Sequence, residues 1–149
     1  MRLLLALAFS LAALPAFAGP ASDAVRFFYT PEANVTDPAL RDRFVDPALA
    51  KFKQDDKLSN GGTEIGCIDF ALQYDAQDLD DAEVARTLKL TEDVKGDKAT
   101  VAAKFNLFPT GEEAGRSIVW SLKQVGGAWK IADIAAGTGD WKLSDFECQ

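Results

Sequence analysis

Residues 118–134 read IVWSLKQVGGAWKIADI, and the fold is decided there. Ile118, Trp120 and Leu122 alternate with Val119, Ser121 and Lys123, the period-2 pattern of a strand with one face buried. Gly126-Gly127 can turn the chain with positive φ at little steric cost, and Trp129-Lys130-Ile131 begins a return arm, so the stretch predicts a β-hairpin. Upstream, Val101, Ala103, Phe105 and Leu107 alternate with polar or small neighbours, as do Leu88 and Leu90. The Lys95-Gly96-Asp97 turn joins these two segments into another hairpin. Ile68, Phe70, Leu72 and Tyr74, alternating with Asp69, Ala71 and Gln73, predict an earlier strand, and Trp141 with Leu143 predicts an edge strand that ends at Cys148.

Before the polar break Ser59-Asn60-Gly61-Gly62 the period is 3.6. Val25, Phe28 and Tyr29 recur at helical spacing behind Ser22, which is placed as an N-cap. Asp37-Pro38 and Asp46-Pro47 each put a capping carboxylate ahead of a proline suited to the first helical position. They predict two further helical stretches, with Leu40 and Phe44 facing inward in one and Leu49 and Phe52 in the next. Helices followed by five or six antiparallel strands make an α+β plan, the helices packed on one face of a curved sheet. In that plan Trp120 fills the core, Trp129 and Ile131 close it, and Trp141 stands at the rim.

This order resembles the cone-shaped, NTF2-like fold of nuclear transport factor 2, ketosteroid isomerase and their relatives. The resemblance rests on VRFFY at 25–29, FVDPAL at 44–49 and GAWKIADI at 127–134. Asp69-Phe70 and Asp75-Ala76-Gln77-Asp78 are similar to the DUF3828 family of exported bacterial proteins within that superfamily. The resemblance implies a cone with a pocket and a place outside the cytoplasm; it implies no reaction, since one fold hosts many functions.

Arg2, the apolar run from Leu3 to Leu14, the breaker Pro15 and the ending Ala16-Phe17-Ala18 have the build of a cleaved secretory signal. The run is shorter than the roughly 20 residues a bilayer span needs. Cleavage after Ala18 leaves one domain over residues 19–149, free in the periplasm or secreted. Cys67 and Cys148, the two cysteines of the chain, are then expected to pair, because an oxidising compartment makes pairing the default.

The net charge is −7, moving to −8 when Arg2 leaves with the signal. An acidic chain without a basic cluster argues against nucleic acid and anionic membranes and leaves a basic protein or a small apolar ligand as partner. The chain has no histidine, which removes the commonest general base and metal ligand, and no G-x-S-x-G elbow. Tyr29 or Tyr74 could pair with Asp69 in an isomerase-like site, but the alternation puts Tyr74 and Asp69 on opposite faces. No catalytic residue, metal site or cofactor is therefore assigned. Asp75, Asp78, Asp80, Asp81 and Glu83 crowd nine residues, yet the run lacks the glycine of an EF-hand loop and reads as a solvated connection.

The candidate binding surface comprises Asp75, Gln77, Asp78, Asp80, Asp81 and Trp141. The reading that results is an exported, non-enzymatic binding or interaction protein, with an inhibitor or immunity role as its concrete form. The alternatives are a cone-fold enzyme of the isomerase or hydrolase kind and a structural component of the envelope. A deep empty cavity holding a buried carboxylate would favour the enzyme; a filled core with an exposed acidic rim would favour the binder.

Overall fold

The computed structural model describes residues 19–111 and 114–148; the predicted signal segment, residues 1–18, lies outside the described residues. One four-stranded antiparallel sheet runs in chain order, β1 (Lys89–Lys95), β2 (Lys98–Asn106), β3 (Gly115–Val125) and β4 (Ala128–Ala136). Both predicted hairpins form. Lys95 pairs with Lys98 around Gly96-Asp97, and Val125 with Ala128 around Gly126-Gly127. Gly96, Gly126 and Gly127 all have positive φ, which a residue with a Cβ would take only under strain.

Val101, Ala103 and Phe105 on β2, Ile118, Trp120 and Leu122 on β3, and Ile131 and Ile134 on β4 are buried on one face. Leu122 pairs with Ile131 but Ser121 with Asp133, so Ala132 is the extra residue of a β-bulge. The bulge lets both Ile131 and Ile134 face inward while Asp133 stands opposite the outward Ser121.

Helices cover that face: α1 (Pro20–Arg26), running into a 3-10 turn (Phe27–Tyr29), then a 3-10 stretch (Pro38–Arg43), α2 (Ala48–Leu58) and α3 (Asp81–Thr87). Phe28 stacks on Trp120 at 5.5 Å between ring centroids and meets Phe44 at 5.4 Å, which in turn meets Phe52 at 4.7 Å. Tyr29 lies edge-on to Tyr74 and Phe105, and its hydroxyl accepts the Trp120 Nε1–H at 3.2 Å. The space between helices and sheet is thus filled with aromatic rings. Burial pushes the Tyr29 hydroxyl pKa well above the ordinary tyrosine value.

Several expectations are corrected. Gly19, not Ser22, is the N-cap of α1; Pro20 begins the helix, and the Ser22 N–H is met at 2.7 Å by the Glu92 carboxylate of β1. Asp37 caps as expected, accepting from Ala39 N at 2.9 Å, but α2 begins behind Pro47 and Asp46 does not cap it. Of the residues expected to face inward, Phe44 and Phe52 are fully buried, and Leu40 and Leu49 are half-buried but packed against the core as expected.

Residues 68–74 are not a strand. Ile68, Leu72 and Tyr74 point inward as the alternation requires, but Gln73 is buried too, and the N–H groups of Tyr74 and Asp75 bond back to Ala71 O at 2.9 Å. The segment satisfies itself as a turn, closed by a single bridge between Ala71 and Ala76. Residues 141–143 likewise make one bridge, Ala135 to Lys142, before a 3-10 turn (Leu143–Asp145). The sheet therefore has four strands and not five or six. Trp129 is half-buried, packed against the edge of the core from its place opposite Gln124, one pair from the Gly126-Gly127 turn.

Cys67 and Cys148 are bonded, with Cα atoms 5.3 Å apart, and tie the C-terminal tail to the loop after α2. Asp133 holds the same tail: its Oδ1 accepts from Ser144 N at 3.1 Å and its Oδ2 pairs with Lys142 at 3.2 Å. No helix among the described residues is long and apolar enough to cross a membrane.

The register overturns one further expectation. Lys95, Lys98, Lys123 and Lys130 are successive cross-strand partners, so a basic cluster does exist, made by the fold from residues that are scattered in sequence.

Candidate functional site

Between the turn of residues 68–77 and the loop after α2 runs an open groove of about 480 Å³. Ile68, Phe70, Ala71 and Ala76 line its apolar part; Asn34 and Thr36 contribute on one side, and Ser59, Glu64, Ile65 and Gly66 on the other. Asp55, Glu64 and Asp69 bring three carboxylates to it, and no Lys or Arg among the described residues lines it. Ile65 is 85% exposed and is shared with a neighbouring hollow of about 360 Å³, lined also by Leu58, Cys67 and Glu147. Ile65 is thus a large apolar side chain left in solvent, with Glu64 beside it in the chain and Glu147 on the neighbouring hollow.

Local chemistry fixes both walls. Asn60, Gly61 and Gly62 have positive φ and end α2, with Gly61 N bonded to Asp56 O and Glu64 N to Ser59 O, each at 2.8 Å. The buried Asp55 carboxylate accepts from Ile68 N at 2.9 Å and lies so close to Gly66 that a Cβ there would sit 2.0 Å from its Oδ1. A side chain at position 66 would have to push the Asp55 carboxylate away from Ile68 N. On the other side Arg41 forks onto Asp56 at 2.6 and 2.8 Å and donates to the carbonyls of Val35, Thr36 and Asp37. With the disulfide at its edge, the groove is a preformed surface.

The predicted surface residues separate. Gln77 lines the groove. Asp75, in a left-handed conformation with φ 51°, accepts from Trp141 Nε1 at 2.7 Å, so these two are brought together but engaged with each other. Trp141 also packs on Phe70 and Phe146, at 5.4 and 6.0 Å, and supports the groove from behind instead of standing free at a rim. Asp80 caps α3, accepting from Ala82 N and Glu83 N, and the buried Glu83 pairs with Arg86 at 2.7 Å. Asp78 and Asp81 are exposed but outside the groove. The acidic run is therefore partly a helix start and not wholly a solvated loop.

Sequence reasoning missed Glu64 and Ile65. The available signal was a lone large apolar residue in the polar break, two positions before a bonded cysteine. Tyr29 and Tyr74 meet each other in the core at 5.7 Å, whereas Asp69 is exposed in the groove.

No family model matches the sequence, and no curated protein matches it. Among solved structures, the fold is similar to a chain of the type VI native effector–immunity complex Tae3–Tai3 from Ralstonia pickettii. The likeness covers 81% of this chain and 97% of that one, with a TM-score of 0.52 and 19% identity, and is one of fold.

Proposed function

We propose that this chain is an exported, immunity-type binding protein that recognises a basic protein partner through the acidic groove and the Ile65 ridge. The observation that carries this reading is the groove itself: preformed walls, three carboxylates without a counter-charge in the lining, and an isoleucine 85% exposed. The fold likeness to a chain of an effector–immunity complex supports neutralisation as the kind of binding. Of the two roles in such a pair, the neutralising one fits better, since both cysteines are bonded and the chain has no histidine to activate a nucleophile. The bonded cysteines and the leader-like residues 1–18 support action in the periplasm or outside the cell. Membership of the DUF3828 family within the NTF2-like superfamily is part of the same proposal, supported by helices laid on one face of an antiparallel meander.

The test is to capture binding proteins from the culture medium and envelope extract with the tagged chain, purify the basic protein retained, and mix the two. A one-to-one complex on gel filtration that abolishes the partner's toxicity, with association that slows as salt rises, is the expected result. A partner that remains free and toxic at micromolar concentrations of both would overturn the proposal.

A further inference from the structure

Antiparallel partners lie directly opposite and project to the same face of the sheet. The pairs Lys95–Lys98, Lys98–Lys123 and Lys123–Lys130 therefore set four lysines in a row, one from each strand, on the face away from Trp120. At about 4.8 Å between strands the row is roughly 14 Å long. Like charges directly opposite destabilise a sheet, and this row repeats that arrangement three times in a chain of net charge −7. The outer members are engaged: Lys95 pairs with Asp93 at 2.8 Å, and Lys130 donates to Asp42 O at 2.6 Å. Among the described residues the two central members, Lys98 and Lys123, have no ion-pair partner.

The row borders a hollow of about 410 Å³, distinct from the acidic groove. Thr100 and Ser121, partners on the next outward rung, also line it, and two carboxylates stand in its wall, Asp46 and the Asp93 that is paired with Lys95. Two uncommitted ammonium groups and two hydroxyls thus border one small space. The lining keeps a small positive excess once Asp46 and Asp93 are counted, and the sign of that excess selects an anion. Because the excess is small, donor number narrows the choice: a phosphomonoester offers three strong acceptor oxygens to the two ammonium and two hydroxyl donors, whereas a carboxylate offers two. We propose that this hollow binds a phosphoryl group, with Lys98 and Lys123 as charged donors and Thr100 and Ser121 as hydroxyl donors. Bound phosphate relieves the repulsion along the row, and the same chemistry is offered by a soluble phosphate compound or a lipid headgroup.

The exported protein is titrated at constant ionic strength with pyrophosphate, followed by amide shifts of Thr100, Ser121 and Lys123, and separately sedimented with vesicles of phosphatidic acid in phosphatidylcholine. Saturable binding to either probe is expected: pyrophosphate alone points to a soluble ligand, vesicles alone to a headgroup. Lys98→Gln with Lys123→Gln should weaken binding at least tenfold, and Asp46→Asn should strengthen it. Without ligand the double variant should melt no lower than wild type, which separates lost binding from lost folding. No saturable response to either probe, or an equal response in the double variant, overturns the assignment.

Discussion

Trp120 and Trp129 lie on the two arms of one hairpin, yet they carry different loads. Trp120 has no exposed surface, stacks on Phe28 and donates to Tyr29, so Trp120→Ala removes a large buried ring and its neighbours' contacts together. Urea melts should show a loss of about 3–5 kcal/mol, as at other buried aromatic sites. Trp129→Ala should cost less, about 1–2 kcal/mol, because its ring is only partly buried against the core. Equal losses would mean that Trp129 is buried as deeply as Trp120. The alternation in the sequence identifies which face a residue joins, but not how deeply it is buried there, and that is why Trp129 read as core. Tyr29 gives a second check at this scale. Its folded pKa is raised by burial, so its contribution to stability is complete below the unfolded value near 10 and declines as pH rises above it. Tyr74 is shifted the same way, by burial first. Absorbance at 295 nm at pH 10.5 should show little tyrosinate in the folded protein and a clear signal from both tyrosines in urea; the same signal in both states would place these rings in water.

Elements were legible where a pattern repeated over enough residues. The two hairpins followed from alternation plus glycine turns, whereas residues 68–74 alternate just as well and form a turn, because no neighbouring strand takes their N–H groups. Alternation reports burial, and pairing needs a partner the sequence does not name. The acidic run misled in the opposite direction. Asp80-Asp81-Ala82-Glu83 has the spacing of a helix start, with an oxygen at the cap and Glu at the third helical position, and it caps α3. Asp80→Ala should therefore cost about 1 kcal/mol and Asp80→Asn much less, since Asn caps nearly as well. Asp78→Ala, exposed and outside the helix, should stay within about 0.5 kcal/mol. Thermal melts of the three variants would expose a wrong assignment if Asp78→Ala proved the most damaging.

Across the whole molecule, charge is sorted by the fold. Glu64 and Asp69 lie on the groove beside the disulfide, and the lysine row lies across the outward face of the sheet. Net charge alone hid this, because residues as far apart as 95 and 130 become neighbours only once the strands are in register. The disulfide pairing, in contrast, could be read from compartment and cysteine count. It closes a separation of 81 residues, for which the chain-entropy model gives about 4.5 kcal/mol as an upper figure. Replacing both cysteines with alanine should lower stability by roughly 2–4 kcal/mol in denaturant melts and leave the Ile65 ridge less firmly held.

Whether a partner is met at the Ile65 ridge, as proposed, is read by site-specific photocrosslinking. A photoreactive p-benzoylphenylalanine is placed at position 65, at position 78 in the acidic run, or at position 125 on the half-exposed hairpin end, and the protein is irradiated with the captured basic partner. A crosslinked adduct of that partner with position 65, and little with 78 or 125, is the expected result. Adducts at 78 or 125 with none at 65 would contradict the proposal.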